Sequence, residues 1–342
     1  MAPARRPRPV TFVVDPSMFG AGYAPPREVY GDLERVVRTD LYYHYATPIC
    51  AQRWMDVCDD PAYGHGDLLE AVEAAMPEVV DVLRADSGGK ASAELCSLGP
   101  GDGSVDERML RGLSRGFSLR AYTGLDFSFE LLRRSVHRLA HAPGLPEGLA
   151  LRAVCGDFTD LGAVELKPPD ADTVRVFALT GFTFGNYAED RLLENIGGLM
   201  AEGDYLFLDA RLHRFGPLPD DLAALDSALE GARASYDAGS VRRFVLGPVE
   251  VATTADESTL RVAFEVTRTL TTVPHAVNLV LYCTGLDAVM RLTGERVRWE
   301  RLDLAVTTAY HLPELEAWLE GSGFTPVWRR SNHDMAFFLL RR

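Results

Sequence analysis

The sequence predicts an α/β protein: a doubly wound, parallel sheet finished by an antiparallel terminal hairpin, plus an inserted α+β lobe. Three observations predict it. Strand-like and helix-like runs alternate from Ser92 to Ala210, the pattern of a parallel sheet covered on both faces. The first strand meets its helix at a glycine turn, Gly99-Pro100-Gly101-Asp102-Gly103. The alternation then breaks over residues 211–307, where strand formers dominate, and a helix followed by a hairpin pattern closes the chain.

Residues 10–14 read as a short strand, and Pro25 and Pro26 then interrupt the chain. The stretch from Val29 to Val57 reads as helix in pieces, with Asp32, Leu33, Val36 and Val37 on one face. Leu68 to Leu83 carries an amphipathic stripe (Leu69, Val72, Ala75, Met76, Val79, Val80, Leu83), and Pro77 is expected to kink or split that helix. Strand Ser92–Leu98 leads to helix Val105–Ser114, and strand Leu119–Leu125 to helix Phe129–Ala140, capped by Ser128. Strand Leu149–Cys155 ends in Gly156-Asp157-Phe158. Strand Thr173–Leu179 runs through Thr180-Gly181-Phe182-Thr183-Phe184-Gly185-Asn186 into helix Ala188–Met200, and strand Tyr205–Asp209 follows.

Leu222 to Ala234 reads as helix. Phe244–Val251, Leu260–Leu270, Asn278–Tyr282 and Trp299–Thr307 read as strands. A helix over His311–Gly321 has Pro313 in its first turn. The strands Thr325–Arg329 and Met335–Leu340, joined by Ser331-Asn332-His333-Asp334, form the terminal hairpin.

The chain has 342 residues, 47% of them hydrophobic and 25% charged, as expected of one large or two interlocked globular domains. Its net charge of −14 opposes binding to phosphate backbones, which argues against a nucleic-acid partner. No apolar run reaches the roughly 20 residues needed to span a bilayer. The start, M-A-P-A-R-R-P-R-P, lacks an apolar core and reads as a tail rather than a secretory leader. Cysteines 50, 58, 96, 155 and 283 are scattered, with no C-x-x-C, which points to small buried hydrophobes in a reducing, cytoplasmic compartment. No metal-ligand pattern such as H-E-x-x-H occurs, so a metal is not expected.

The candidate site lies at the carboxyl ends of the parallel strands. Gly99 and Gly101 let a ligand approach the backbone without meeting a Cβ. Asp126, at the end of the next strand and followed by Phe127, offers a carboxylate to ribose hydroxyls. Asp157 can accept from an adenine amino group and Phe158 can pack on the purine, or the pair is an Asx turn beside a core ring. The spacing G-P-G-D-G departs from the dinucleotide fingerprint G-x-G-x-x-G. Tyr42, Tyr43, Tyr45, Phe182, Phe184 and Trp299 are candidates for an apolar acceptor pocket or for core packing.

The motifs E-L-C-S-L-G-P-G-D-G, G-L-D-F-S, G-D-F-T and T-F-G-N, in that order, resemble the histidine N-alpha-methyltransferases of ergothioneine biosynthesis. The resemblance runs from about Tyr63 to the end. It implies a Rossmann-like class I methyltransferase sheet using S-adenosyl-L-methionine, with an added substrate lobe. The implied division is residues 84–213 and 308–342 for the cofactor, 15–83 and 214–307 for the substrate, and 1–14 as a tail. It further implies cofactor contacts at Gly99, Gly101, Asp126, Phe127, Asp157, Phe158 and Thr180. Asn186 and Tyr236 match residues that hold the amino acid's carboxylate or amine, and Tyr63 matches a tyrosine near the substrate. The family's E-x-S stretch for imidazole aligns with Ala305-Val306-Thr307. The glutamate is absent and Thr307 keeps a hydroxyl, so the expected substrate is a small amino acid or amine other than histidine. An NAD(P)-dependent oxidoreductase shares the glycine turn and the ribose acid but lacks its spacing and any Tyr-x-x-x-Lys. An O- or C-methyltransferase of a secondary-metabolite intermediate is a further alternative, as is a non-catalytic methyltransferase-like protein; the lost glutamate suggests the latter and the retained cofactor motifs oppose it.

Overall fold

The computed structural model describes residues 8–15, 37–38, 44–45, 47–159, 166, 169–213, 239–255, 260–268 and 270–342. Tyr236, Tyr42, Tyr43 and the helix expected over Leu222–Ala234 lie outside them.

In chain order the elements are β1 (Val10–Val14), β2 (Val37–Arg38), α1 (Pro48–Cys58), α2 (His65–Asp86), β3 (Ser92–Leu98), α3 (Ser104–Leu113), β4 (Ser118–Asp126), α4 (Phe129–His141), β5 (Ala150–Cys155) and β6 (Thr173–Leu179). Then come α5 (Glu189–Leu199), β7 (Tyr205–Arg211), α6 (Gly239–Ala252), β8 (Val262–Thr267), β9 (Val277–Val289), β10 (Arg296–Ala309), α7 (Leu312–Glu320), β11 (Thr325–Ser331) and β12 (Met335–Arg341). Short 3-10 turns cover Pro61–Tyr63 and Thr183–Asn186.

The main sheet has the order β1-β5-β4-β3-β6-β7-β12-β11. Its strands are parallel from β1 through β7, while β12 runs antiparallel to β7 and pairs with β11 as a hairpin. This is the Rossmann-like sheet with an antiparallel end that the sequence predicts. The central strands β6 and β7 read as near-continuous apolar runs because both faces are covered. Leu95, Val176 and Phe207 pack toward α2, α3 and α4, and Phe177, Leu206 and Leu208 toward α5 and α7.

A second sheet, β2-β10-β9-β8, is antiparallel except where β2 joins β10. Helix α6 packs on it through Val241, Phe244, Val245 and Val249. The two sheets are stitched together at the end of β10, where Tyr310 N–H donates to the Arg211 carbonyl and His213 N–H to the Tyr310 carbonyl, both at 2.9 Å. Gly185 lies so close to this strand that a Cβ would sit 2.7 Å from the Thr308 carbonyl oxygen.

Four expectations need correction. Residues 10–14, assigned to the tail, are the edge strand beside β5. Arg8 secures that edge: its guanidinium donates to carbonyls at the end of α4 and beyond, Leu139 at 2.9 Å and Pro146 at 2.7 Å among them. Val37 belongs to a strand, not a helix face, because it adds to the edge of β10. Phe244–Val251 is helical: its apolar positions recur at three- and four-residue spacing and bury one face on the second sheet. Pro77 does not split α2, which continues through it, since the proline stands on the exposed side and Val72, Met76, Val79 and Leu83 stay buried. Among the described residues no helix is long and apolar enough to cross a membrane.

Candidate active site

The site is built from loops leaving β3, β4, β5 and β6 at one rim. After β3 the chain turns through Gly99, Gly101 and Gly103 at φ of 73°, 55° and 78°, a region costly for other residues. At Gly103 close approach adds a second demand: a Cβ would lie 2.8 Å from Ser135 Oγ and 2.9 Å from its Cα. Glycine thereby lets α3 begin against α4. Gly99 N–H donates to the Leu125 carbonyl at 2.8 Å, tying this turn to the end of β4.

Asp126 ends β4 and is buried. Its Oδ1 accepts Ser128 N–H at 2.7 Å. Burial pushes its carboxyl up to about 7, and the amides of Ser128 and Gly101 offset part of that rise. Ser128 caps α4 through Leu131 N–H and donates its hydroxyl to the Tyr45 carbonyl at 2.7 Å. The Asp126 carbonyl in turn accepts Gly156 N–H at 3.0 Å, so Asp126 and Asp157 share one rim. Asp157 Oδ1 holds Thr159 through its N–H at 2.8 Å and its hydroxyl at 2.7 Å, an Asx turn. Phe158 is buried and meets Tyr187 edge-on at 5.9 Å.

After β6, Phe182 adopts a left-handed φ of 62°. Asp209, buried on β7, holds it there by accepting the amides of Gly181 and Phe182 at 2.9 and 2.8 Å. Burial pushes Asp209 up to about 7, against those two bonds and the charge of Arg211. The Arg211 guanidinium lies 4.3 Å over the Phe182 ring and 5.9 Å over that of Tyr63. Asn186 closes the 3-10 turn. It is not a helix cap, because α5 has Ala188 at that position.

These loops enclose a cleft of about 710 Å³, mouth included, lined by Gly99, Gly101, Asp126, Phe127, Phe158 and Thr180. Asp157 stands at the rim and is not among the lining residues. A second chamber of about 540 Å³, mouth included, adjoins it, with Tyr63, Phe182, Ala305 and Thr307 in its wall. Tyr45, Trp54, Gly181 and Asn186 line both. Tyr45 is half-buried, and burial first, then Tyr63, Tyr187 and Asp126, raises its phenol well above the ordinary range. Its ring meets Phe244 at 5.2 Å and Trp54 at 5.6 Å.

Of the aromatic positions that the sequence left between pocket and core, Phe184 and Trp299 take the core alternative, Phe184 against Tyr310 at 5.5 Å, while Tyr45 and Phe182 line the second chamber. Sequence reasoning missed Trp54, Phe244 and His65. His65 Nε2 lies 3.1 Å from Ser104 Oγ in the first cleft, and burial holds the imidazole below its usual range against the pull of Asp102 and Asp59. Trp54 and Cys58 stand four residues apart on α1 and both line the first cleft, so helical spacing is the sequence signal that could have found Trp54. Among the described residues no cluster of His, Cys, Asp or Glu is arranged to hold a metal ion.

No protein-family model matches the sequence, and comparison with curated proteins finds no match. Solved structures do show likeness. An S-adenosylmethionine-dependent methyltransferase from Clostridium acetobutylicum is 11% identical, with a TM-score of 0.44, over 85% of this chain and 98% of that one. The glycopeptide N-methyltransferase MtfA complexed with S-adenosyl-L-methionine is 13% identical, with a TM-score of 0.36, over 76% of this chain and 86% of its own. A methyltransferase from Methanosarcina mazei is 14% identical, at 0.36, over 74% and 93%. At such identities and scores these likenesses add no argument about chemistry to the strand order described above.

Proposed function

We propose that the protein is an S-adenosylmethionine-dependent methyltransferase. In this reading it acts on the amino group of a small amino acid, or a metabolite built from one, other than histidine. The observation that carries the reading is the shared wall. Because Asn186, Gly181, Tyr45 and Trp54 border both spaces, a donor in the rim cleft is set against an acceptor in the second chamber. Holding the two reactants in line supplies about 7–11 kcal/mol of a displacement barrier.

The side chains of the cleft fit this cofactor. Gly99 and Gly101 leave open backbone for its methionine part, and Asp126 faces the place of the ribose. Phe127 and Phe158 offer apolar surface for the adenine, and Thr180 lines the cleft where β6 ends. Asp157 would accept from the adenine amino group through Oδ2, which makes no bond among the described residues. When bound, the cofactor supplies a methyl group already activated on sulfur.

The chain's own work is binding, orientation and the exclusion of water. Asn186 sits at the junction, and its amide makes no hydrogen bond among the described residues. It is placed to hold the acceptor's carboxylate or amine. The attacking amine must be neutral, and its proton passes to water. Tyr45 is no base, since burial keeps its phenol protonated. Tyr63 lines the acceptor chamber, and Tyr236 keeps the role that the resemblance implies. Ala305 in that wall supports a substrate without an imidazole.

Calorimetric titration with S-adenosylmethionine, adenosylhomocysteine and NAD(P)H tests the cofactor. Tight binding of the first two alone is expected, and preference for the dinucleotide would refute the reading. Incubation with methyl-labelled cofactor and amino acids tests the transfer.

A further inference from the structure

Resting on that reading, we propose that the acceptor carries an uncharged aromatic side chain bearing one ring N–H or O–H, lodged in the second chamber, and that Ala305 and Thr307 set this choice. Residues 305 and 307 lie two apart on β10, on one face of the strand, and pair with Leu281 and Leu279 of β9. Both line the chamber. Opposite them stand Trp54, Tyr63, Phe182 and Phe244, rings that offer edges and faces to another ring. No acidic or basic side chain lines the chamber among the described residues. From these described walls a charged side chain would gain no counter-charge for the water it loses.

One feature narrows the class further. Thr307 is buried, and its hydroxyl makes no hydrogen bond among the described residues. It therefore offers one neutral partner to an indole N–H or a phenolic O–H. In the transfer the amine lone pair forms the N–C bond, the S–C bond breaks with its electrons to sulfur, and one N–H proton leaves to water. The products are the N-methyl amino acid, adenosylhomocysteine and a proton.

The test uses the full chain with S-adenosylmethionine and a panel of tryptophan, tyrosine, phenylalanine, leucine, histidine, lysine and glutamate, read by mass spectrometry. The expected kcat/KM for tryptophan or tyrosine exceeds that for histidine, lysine and glutamate by about tenfold or more. Ala305→Glu should raise histidine and lower tryptophan, narrowing or reversing that ratio. Thr307→Val should lower tryptophan and tyrosine relative to phenylalanine. Adenosylhomocysteine affinity reports that each variant is folded, and if Ala305→Glu is not, Thr307→Val carries the comparison alone. Preference for a charged side chain, or no transfer to any aromatic amino acid while the cofactor binds, overturns the assignment and leaves the cofactor reading standing. Failure of the cofactor to bind overturns both.

Discussion

Tyr122 donates its phenolic hydrogen to Asp106 at 2.6 Å, under the first turn of α3. The other Asp106 oxygen accepts from Ser97 at 2.9 Å, and the Tyr122 oxygen lies 3.1 Å from Ser135 Oγ, the residue that crowds Gly103. This buried chain holds the glycine turn from below. Burial pushes Asp106 up to about 7, and the bonds from Tyr122 and Ser97 oppose the rise. The folded state keeps the proton up to that pH, whereas the unfolded chain releases it near the ordinary value of about 3.9. The contribution is therefore full below about pH 4 and is lost as pH rises through 7. Asp106→Asn should flatten that part of the pH profile of urea unfolding. Tyr122→Phe should cost about 1–3 kcal/mol.

Asp126 has the same elevation and a different use. Its carboxyl is held near 7 by burial, and ribose hydroxyls donate best to the ionised form. Cofactor affinity should then rise with pH from about 6 to 8, with proton release on binding below 7. Calorimetry in two buffers of different ionisation enthalpy reads that release. Asp126→Asn should weaken affinity by about 10- to 100-fold and level the pH dependence. An unchanged slope in the variant would assign the proton elsewhere.

Asn186→Ala should lower turnover by about 100- to 1,000-fold while changing cofactor affinity little. A role as helix cap is excluded, because Ala188 occupies that position in α5. Equal loss of turnover and affinity would mean that the amide props up the turn over Thr183–Asn186 rather than the acceptor.

Arg8 donates through its guanidinium to the carbonyls of Leu139, Ala140, Ala142, Leu145 and Pro146. Leu139, Ala140 and Pro146 also accept backbone N–H groups, so Arg8→Ala chiefly deprives the Ala142 and Leu145 carbonyls of their donor. It should cost about 1–3 kcal/mol in urea unfolding and expose the β1 edge to limited proteolysis. Unchanged stability would show that β1 pairing with β5 suffices.

Much of the main sheet was legible because its strands are buried on both faces and stand between turn signals. Thr173–Leu179 is the clearest case: every residue is buried, and its one charged side chain, Arg175, pairs with Asp204. The rim residues were legible too, since glycines and strand-end acids obey local rules. The second chamber was legible only in part: Tyr45, Tyr63, Phe182, Ala305 and Thr307 were named from the sequence, but Trp54 and Phe244 were not, because these residues come from separate elements and no local pattern announces their meeting. The stretch Phe244–Val251 misled because Val and Phe favour strands in isolation, while the face buried on the second sheet decides for helix. Asp157 shows a subtler limit. A carboxylate at a ligand rim and one that closes its own turn look alike in sequence; here Oδ1 closes the turn through Thr159, and Oδ2 remains for the role proposed above.

The weld between Gly185 and Thr308, continued by the Arg211–Tyr310–His213 ladder, bears on how molecules enter and leave. A jaw that swung one sheet from the other would have to tear that seam and uncover the tight backbone crossing with it. Traffic through the pair of compartments therefore depends on side chains and loops stepping aside within a fixed frame, and under the proposed reading the spacing between donor and acceptor would be built in before either arrives.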